Sequence, residues 1–430
     1  MTALNELGAA AAAAAIARGE ITAQALAEAC LAHIAEREPV VGAFESFDAE
    51  GVLRAARQAD ATPPRGPLHG VPFAAKDIMD SADHPTGWGS AIYAGHQPGR
   101  DASCVRLLRE AGGILIGKTV TTEFAYFRPG RTANPRNPAH TPGGSSSGSA
   151  AAVADCMVPL ALGSQTAGSL IRPAAYCGVI GYKPGHGIFD LSGCMSFAPS
   201  LDTLGGLARE VADLALLHDV LVPGADLRAA HQPDDDWRPR VGLMRGPHWN
   251  EADIHGRDAC QRALEALRNA GAETGEISVP ASFEQLSEYQ KTVMAWEAAR
   301  ARLHEFRVHR AHISDAFAAL IETGLSTPYA DYRAALSGLS AARRLFAALV
   351  ADWDALIVPA AMGEAPEGLG ATGDPLHSRA WTGLQVPAMS LPCGHGPAGL
   401  PLAAQLVAGP GCEARLLRCA AFAAPLLAAI

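Results

Sequence analysis

The feature that most constrains the fold of this chain is the segment 143–173, which reads GGSSSGSAAAVADCMVPLALGSQTAGSLIRP. Its pattern predicts two turns of small residues, separated by a short alanine-rich helix and a short apolar strand. Such a turn can aim successive backbone N–H groups at one point, which an oxyanion hole requires. The second turn, 163–169, follows the strand directly, and its terminal Ser169 would lie at the centre of those donors. An ordinary tight turn after a strand is the alternative interpretation.

Each turn contains a serine that needs a base, because a serine hydroxyl is a poor nucleophile until another group removes its proton. Neither turn has a plausible histidine partner nearby. Upstream, residues 69–77 read HGVPFAAKD and place Lys76 in apolar surroundings. The chain has four lysines beside thirty arginines, and a lysine can lose its proton where an arginine cannot. Lys76 is therefore a candidate base.

Three known motifs do not account for these turns. A P-loop needs a lysine after Gly148, and none follows. Residues 144–148 match the G-x-S-x-G nucleophile elbow, but that elbow must follow a strand. The preceding stretch 134–142, NPRNPAHTP, is too rich in proline for a central strand. No serine lies three residues before a lysine, so the S-x-x-K motif is absent as well.

Composition excludes several classes of function. With 49% hydrophobic and 18% charged residues, the sequence is typical of a globular protein. A net charge of −10 without a basic cluster argues against a nucleic-acid partner. The nine cysteines include no C-x-x-C pair, which argues against a disulfide framework or a zinc site and predicts a reducing compartment. No histidine has the spacing of a metal site.

Two apolar stretches bear on the location of the protein. The alanine-rich stretch 9–17 could pass for the core of a signal peptide, but no Lys or Arg precedes it, so we predict a helix that ends near Gly19. The run 419–430 is too short to span a bilayer and is interrupted by Pro425. These observations predict a cytoplasmic protein without a membrane partner.

The alternation of helical and apolar extended patterns predicts an α/β fold, with a sheet covered by helices on both faces. Predicted strands cover 40–47, 114–117, 159–163, 241–244, 356–359, 388–392 and 402–407. Predicted helices cover 22–36 behind the N-cap candidate Thr22, 101–110, 148–154, 206–222 and most of 255–350. A charged surface stretch is expected at 234–240. Because neither a repeat nor a clear linker is evident, we favour one domain over residues 1–430.

Taken together, the two turns resemble the amidase signature family, whose hallmark is a GGSSGGS-type turn followed by a TGGS-type turn. Further motifs of that family follow in order at IGKTVTTEF (116–124), NPRNP (134–138), PAAYCGVIGYKP (173–184), SLDTLG (200–205), GDP (373–375), WT (381–382) and GLP (399–401). The resemblance is good over the signature core, about 65–210, and poor over 215–325. It implies a single large α/β domain with a central mixed sheet, in which a helical, variable region of about 215–350 shapes the pocket.

The resemblance also implies the chemistry. It assigns Lys76 as the base, Ser145 as a bridging serine in a cis peptide, and Ser169 as the nucleophile. The oxyanion would be held by the backbone N–H groups of Thr166, Ala167, Gly168 and Ser169. Such a Ser-cisSer-Lys group makes the chain an amidohydrolase of a small amide, which acts through a seryl acyl-enzyme, releases ammonia and needs no cofactor or metal. Burial would lower the pKa of the lysine enough for it to act as a base.

Several positions depart from the commonest family pattern. Ser147 and Ala167 replace glycines, and Gln165 stands where aspartate is frequent. Arg172 lies three residues after the nucleophile, as in malonamidase-like members, where that arginine binds a substrate carboxylate. Carried over, it would select a malonamate-type amide; a structural ion pair is the alternative for Arg172.

Other functions remain open at this point. One is the amidase component of a tRNA-dependent amidotransferase, and another is a non-catalytic family scaffold. The expected partner is a small-molecule amide, and the resemblance leaves a homodimer open. Lys118 is a rival base that falls in a structural motif of the family, and Asp202 is expected to brace the core.

Overall fold

Eleven strands form one mixed β-sheet in the computed structural model, which describes residues 3–232 and 236–430. The strands are β1 (Phe44–Phe47), β2 (Pro72–Lys76), β3 (Ile114–Thr119), β4 (Leu160–Gln165), β5 (Ile180–Lys183), β6 (Thr203–Ala208), β7 (Arg240–Met244), β8 (Glu273–Ile277), β9 (Ala355–Pro359), β10 (Ala388–His395) and β11 (Pro401–Val407). Their spatial order is β1-β3-β2-β4-β6-β5-β10-β11-β9-β7-β8. β2 pairs in parallel with β3 and β4, and β7 with β8 and β9, whereas the other neighbours are antiparallel.

Helices flank this sheet. In the same residue ranges they are α1 (Ala9–Ala17), α2 (Ala23–Val41), α3 (Ala49–Asp60), α4 (Ser103–Glu110), α5 (Ser147–Ala154), α6 (Ile171–Cys177), α7 (Val211–Leu221), α8 (Leu227–Ala230), α9 (Ile254–Asn269), α10 (Leu286–Ala301), α11 (Leu303–Val308), α12 (Asp315–Ser326), α13 (Tyr329–Leu349), α14 (Leu376–Gly383) and α15 (Glu413–Leu427). α5 and α6 pack on the central strands, α9 and α15 pack on the strands from the second half of the chain, and α10 packs against α12, α13 and α14.

The central strands are short apolar runs with no exposed side. Every residue of β2, β3, β4 and β6 is buried. A strand that reads as a continuous apolar run, without alternation, is typical of a sheet covered on both faces. The predicted α/β fold with a central mixed sheet is confirmed.

The pairing of β2 with β4 brings the site together. Lys76 is the last residue of β2, and β4 ends at Gln165. Because parallel neighbours run in one direction, their C-terminal ends lie at the same edge of the sheet, where α/β folds place their ligands. The second turn follows β4 directly, and the first turn leads into α5, which packs on β4. Lys76 therefore lies beside both turns.

Most predicted elements are present with small shifts of their ends. Helix α2 begins behind Thr22, whose Oγ1 accepts a hydrogen bond from Ala25 N at 3.0 Å, as an N-cap does. The predicted strand 40–47 begins only at Phe44, because α2 continues to Val41. Gly42 then ends that helix in the left-handed region, with φ 61°.

One prediction is wrong in type. Residues 206–208 of the predicted helix 206–222 belong to strand β6, and α7 begins at Val211. The sequence of β6, TLGGLA, is buried throughout and contains two glycines, so it has neither a strand period nor a helix period. The region 255–350 is mostly helical, as predicted, and it also contains β8, an edge strand of sequence ETGEI that lies next to β7. Residues 233–235, at the start of the predicted charged stretch 234–240, lie outside the described residues.

Two observations concern membranes and thiols. None of the helices in the described ranges has the length and apolarity that crossing a bilayer requires. All nine cysteines are free thiols.

Candidate active site

Lys76 is completely buried at the end of β2 and contacts two serines. Its Nζ lies 2.6 Å from Ser145 Oγ and 2.9 Å from Ser164 Oγ. Burial lowers the pKa of Lys76 to about 7, while the nearby carboxylate of Asp202 acts in the opposite direction. The amine can therefore exchange a proton close to neutral pH.

The first turn holds Ser145 against this amine. The peptide bond between Gly144 and Ser145 is cis, as the family resemblance predicts. The turn is tied to its surroundings on both sides: Arg172 Nη2 donates to Gly144 O at 2.6 Å, and Ser146 N donates to Ser169 O at 3.2 Å. The second of these hydrogen bonds links the two serine turns directly.

The second turn is anchored by Gln165, the residue that stands where aspartate is frequent in the family. Its Oε1 accepts hydrogen bonds from Leu170 N at 2.9 Å and Ile171 N at 3.0 Å. Its Nε2 donates to Thr382 Oγ1 at 3.0 Å, and that hydroxyl donates to Ala167 O at 2.7 Å. Glutamine supplies both an acceptor and a donor here, which a carboxylate cannot do.

The last four residues of the second turn have unused backbone donors. No described residue accepts a hydrogen bond from the N–H groups of 166–169, whereas Ser164 N donates to Ser146 Oγ at 3.2 Å. Unused backbone donors are what an oxyanion hole requires, and Thr166, Ala167 and Ser169 line the cavity described next. Asp202 connects the second turn to the segment that follows β5. It accepts hydrogen bonds from Thr166 Oγ1 at 2.6 Å and from Phe197 N and Ala198 N at 2.8 and 2.9 Å.

Ser145 and Ser169 lie on the wall of one small cavity of about 30 Å³. Its apolar side is formed by Ala125, Tyr126, Phe127, Phe197 and Met294. Two buried arginines, Arg172 and Arg379, line it as well. An outer cavity of about 610 Å³ shares the lining residues Phe127, Thr372 and Arg379 with the inner one.

A family model described as Amidase matches residues 25–417. The chain belongs to the amidase family. The A subunit of the glutamyl-tRNA(Gln) amidotransferase of Chloroflexus aggregans is 40% identical to it over 329 residues, which are 71% of this chain and 67% of that relative.

Solved structures agree with this assignment. An s-triazine catabolic enzyme, solved as part of a vestigial protein complex, superposes with a TM-score of 0.89 at 28% identity and 98% coverage of both chains. The peptide amidase of Stenotrophomonas maltophilia superposes with a TM-score of 0.84 at 27% identity, over 98% of this chain and 97% of that one. The chain is thus an amidase, an enzyme that acts on amide C–N bonds.

The rival base of the amidase, Lys118, is held in a buried ion pair. Its Nζ lies 3.2 Å from Asp77 Oδ1 and donates to Thr86 Oγ1 at 2.7 Å. Neither Lys118 nor Asp77 lines the cavity that contains Ser169. Burial lowers the pKa of Lys118 and raises the pKa of Asp77, and each partner opposes the shift of the other. These contacts give Lys118 a structural role.

Lys118→Met is expected to destabilise the amidase by about 3–5 kcal/mol, because it leaves the buried carboxylate of Asp77 without its cation. Chemical denaturation followed by circular dichroism measures this loss. The double variant Lys118→Met, Asp77→Asn should recover most of it, since the amide is uncharged and can still accept from Gly87 N, which now donates to Asp77 Oδ2 at 3.0 Å. Equal midpoints for the single variant and the parent would refute the structural role.

Arg172 lines the cavity as predicted, but its terminal nitrogens are already engaged. Nη1 donates to Gly373 O at 2.6 Å, and Nη2 donates to Gly144 O at 2.6 Å and to Thr372 Oγ1 at 3.2 Å. No carboxylate of a described residue lies within 4.0 Å of it, so the predicted alternative of an ion pair is not what holds Arg172. It instead connects the first turn to the segment before α14.

Three residues of the site escaped sequence reasoning. Ser164 accepts from Lys76, and its place in the second turn did not distinguish it from the other small residues there. Gln290 and Arg379 come from α10 and α14, and Arg379 Nη1 donates to Gln290 Oε1 at 2.6 Å. No spacing connects positions so far apart in the chain. The only available signal for Arg379 was its proximity to the WT motif at 381–382.

Proposed function

We propose that this amidase is a serine amidohydrolase in which Lys76 is the base, Ser145 relays the proton and Ser169 is the nucleophile. The observation that carries the proposal is the 2.6 Å contact between Lys76 Nζ and Ser145 Oγ at the cavity that Ser169 also lines. A lysine whose pKa is lowered to about 7 can serve as a general base near neutral pH.

The contacts of Lys76 suggest how the proton moves. A neutral amine has two N–H bonds and one lone pair. One N–H donates to Ser164 Oγ, which leaves the lone pair able to accept the proton of Ser145. Ser145 in turn takes the proton of Ser169, whose oxygen attacks the amide carbonyl. A serine nucleophile activated through an adjacent base is the usual route of covalent catalysis by this side chain.

The remaining steps use the same groups. The N–H groups of Thr166, Ala167, Gly168 and Ser169 stabilise the negative charge on the carbonyl oxygen. The proton returns through Ser145 to the leaving amine, so that ammonia departs and an ester of Ser169 remains. Water then attacks this ester with Lys76 and Ser145 again as proton acceptors, which regenerates the hydroxyl and releases the acid.

The proposed substrate is a small amide that carries a carboxylate, of which malonamate is a short example. A cavity of about 30 Å³ favours a short acyl group. Burial lowers the pKa of Arg172 to about 10, which leaves its guanidinium charged at neutral pH. The malonamidase-like position of Arg172 puts this positive charge beside the cavity, which supports a substrate that carries a carboxylate.

Ammonia release from a panel of small amides tests this proposal. We expect kcat/KM for malonamate to exceed that for acetoacetamide, a neutral amide of similar size, by about 10²-fold, because hydrogen bonds to a charged group are stronger than those to a neutral one. Propionamide serves as a second uncharged control. If the purified chain hydrolyses no amide in the panel, the proposal fails; a preference for the neutral amides would contradict its acidic substrate alone.

A second candidate function is that of the amidase component in a tRNA-dependent amidotransferase. The identity to the Chloroflexus aggregans protein of that name favours it, whereas Gln165 and the shifted Arg172 depart from the commonest signature. This candidate requires a second protein chain. Co-purification of such a chain, together with hydrolysis that depends on it, would support this role, and activity of the isolated amidase on malonamate would count against it. Retention of Lys76, Ser145 and Ser169 together speaks against a scaffold without activity.

Location and oligomeric state follow from the sequence and the resemblance alone. A cytoplasmic location stays a prediction that rests on the cysteine usage. A homodimer likewise stays a prediction, which sedimentation of the purified chain would test.

A further inference from the structure

Two positive charges line the inner cavity without a negative partner. Arg172 and Arg379 are 4% and 5% exposed. No carboxylate of a described residue lies within 4.0 Å of either guanidinium. A buried charge is costly unless a counter-charge or a full set of hydrogen bonds compensates it. The cavity beside Ser169 is therefore suited to an anion.

The two arginines differ in how many donors they have left. Arg172 uses both terminal nitrogens on protein oxygens, as described above, so that only its buried Nε lacks an acceptor among the described residues. Arg379 uses only Nη1, which donates to Gln290 Oε1 at 2.6 Å. Its Nε is buried without an acceptor, and no described residue accepts from its Nη2. The Nε–Nη2 edge is one of the two edges through which a guanidinium binds a carboxylate with two parallel hydrogen bonds.

Gln290 fixes the orientation of Arg379 relative to the second turn. It is fully buried on α10, and its Nε2 donates to Thr166 O at 2.9 Å. Because the amide nitrogen is used on that carbonyl, the amide oxygen must face the guanidinium. Thr166 is the first residue of the predicted oxyanion hole. A group bound to Arg379 is thus held at a set distance from the oxyanion donors.

Arg379 lines both cavities, which bears on how the proposed substrate is oriented between them. Arg379 lines both the inner cavity with Ser169 and the outer cavity of about 610 Å³. The exposed Asp374 also lines the outer cavity, and its Oδ1 accepts from Leu376 N at 2.9 Å. A carboxylate bound to Arg379 would therefore lie at the boundary between the two cavities.

We propose that Arg379 is the carboxylate receptor of the substrate, which it binds through Nε and Nη2, while Gln290 is the residue that positions it. The inference rests on the proposed amidohydrolase function and names a residue that selects its substrate class, the monoamides of short dicarboxylic acids. Arg172 then holds the first turn in place and adds positive charge to the cavity. The amide end of the substrate points toward Ser169, and the carboxylate end points toward the outer cavity.

Arg379→Met tests the assignment, because methionine fills much of the same volume without the charge. We expect kcat/KM for malonamate to fall by about 10²- to 10³-fold, the effect of losing two charge-assisted hydrogen bonds. The value for acetoacetamide should change less than about threefold, since its acetyl group forms no ion pair. Arg379→Lys keeps the positive charge but cannot form two parallel hydrogen bonds. Its kcat/KM for malonamate should therefore lie between those of the parent and of Arg379→Met. Equal losses on both amides would overturn the proposal in favour of a structural role.

The control is Arg343→Met, which removes a guanidinium that also contacts α14. Arg343 Nε donates to Leu384 O at 2.9 Å, just after the end of that helix, and lines neither cavity. We expect this variant to keep the ratio of the two kcat/KM values. A change of that ratio equal to the change in Arg379→Met would show that any loss of support for α14 alters selectivity, and the assignment would fail.

Binding of malonate, measured by calorimetry, separates this inference from the proposed function. The parent should bind malonate, and Arg379→Met should bind it at least about tenfold more weakly, whether or not any amide is hydrolysed. Arg379→Lys provides the same comparison if the methionine variant does not fold. Unchanged malonate affinity in these variants overturns the receptor, even where malonamate is a good substrate. Binding without hydrolysis of any amide would instead overturn the proposed chemistry.

Discussion

Ser169→Ala is expected to lower kcat by about 10⁵-fold or more, because it removes the only atom proposed to bond to the substrate carbon. Losses on that scale follow removal of the nucleophile in serine hydrolases, where the remaining rate comes from binding and the oxyanion donors. The substitution deletes one oxygen at the cavity wall and leaves the backbone donors of the turn in place. The folded state and the affinity for malonate should therefore change little. Ammonia release measured with excess enzyme over hours detects the residual rate.

A neighbouring serine provides the control for this experiment. Ser147 belongs to the first turn, and its Oγ donates to Val120 O at 3.3 Å, away from the cavity. Ser147→Ala should retain kcat within about threefold, since the hydroxyl contributes one neutral hydrogen bond to the fold and none to the reaction. A fluorophosphonate probe should label the parent and Ser147→Ala but not Ser169→Ala. Full activity of Ser169→Ala would show that another residue is the nucleophile.

Lys76→Met is expected to lower kcat/KM by about 10²- to 10⁴-fold, the usual contribution of a general base. Lys76→Arg should be similarly inactive, because an arginine keeps its proton throughout the accessible pH range. The kcat/KM of the parent should depend on pH. Below the pKa of about 7 the amine is protonated and cannot accept a proton from Ser145, so kcat/KM falls as the pH is lowered through that value and is constant above it. The residual activity of Lys76→Met should lack this inflection.

The matched control is the other fully buried lysine of the central sheet whose pKa falls to about 7, Lys183. Burial is again the cause, but the Nζ of Lys183 donates to Pro184 O and Val386 O and contacts neither serine. Lys183→Met leaves those carbonyls without a donor and should therefore lower the stability of the protein. The molecules that still fold should show the same dependence of kcat/KM on pH as the parent. If Lys183→Met removes the inflection and Lys76→Met retains it, the base has been assigned to the wrong lysine.

The proposed catalytic arrangement was more predictable from sequence than the proposed substrate pocket, because its residues are closer together along the chain. Ser145 and Ser169 are joined by one helix and one strand, and the parallel pairing of β2 with β4 adds Lys76 to them. Short connections of this kind leave patterns in the sequence. Gln290 and Arg379 meet only because α10 packs on α14. Within α10, Gln290 is one of several polar residues, and nothing in its neighbours distinguishes it.

The wrong prediction of a helix at 206–208 also arose because the sequence there carries no local signal of its secondary structure. Thr203–Ala208 becomes a strand because antiparallel partners on both sides, β4 and β5, complete its hydrogen bonds. Glycines at 205 and 206 lack side chains that would reveal a period, so the pattern does not separate this segment from the helix that follows it. For Gln165 the sequence marked a departure from the family, but only the structure connects it to Thr382 and thereby explains why an amide fits that position.

The strand order has a consequence for how a newly made chain becomes an enzyme. β5 ends at Lys183, yet its neighbour β10 begins only at Ala388. Until the ribosome has released β10, the edge of β5 remains unpaired, and Thr382 is not yet in place to hold the second turn through Gln165 and Ala167. Contacts between such distant parts of a chain form slowly, and an open strand edge can pair with other chains in the meantime. The proposed site around Ser169 therefore assembles only after the chain has been synthesised through β10, more than two hundred residues beyond the nucleophile.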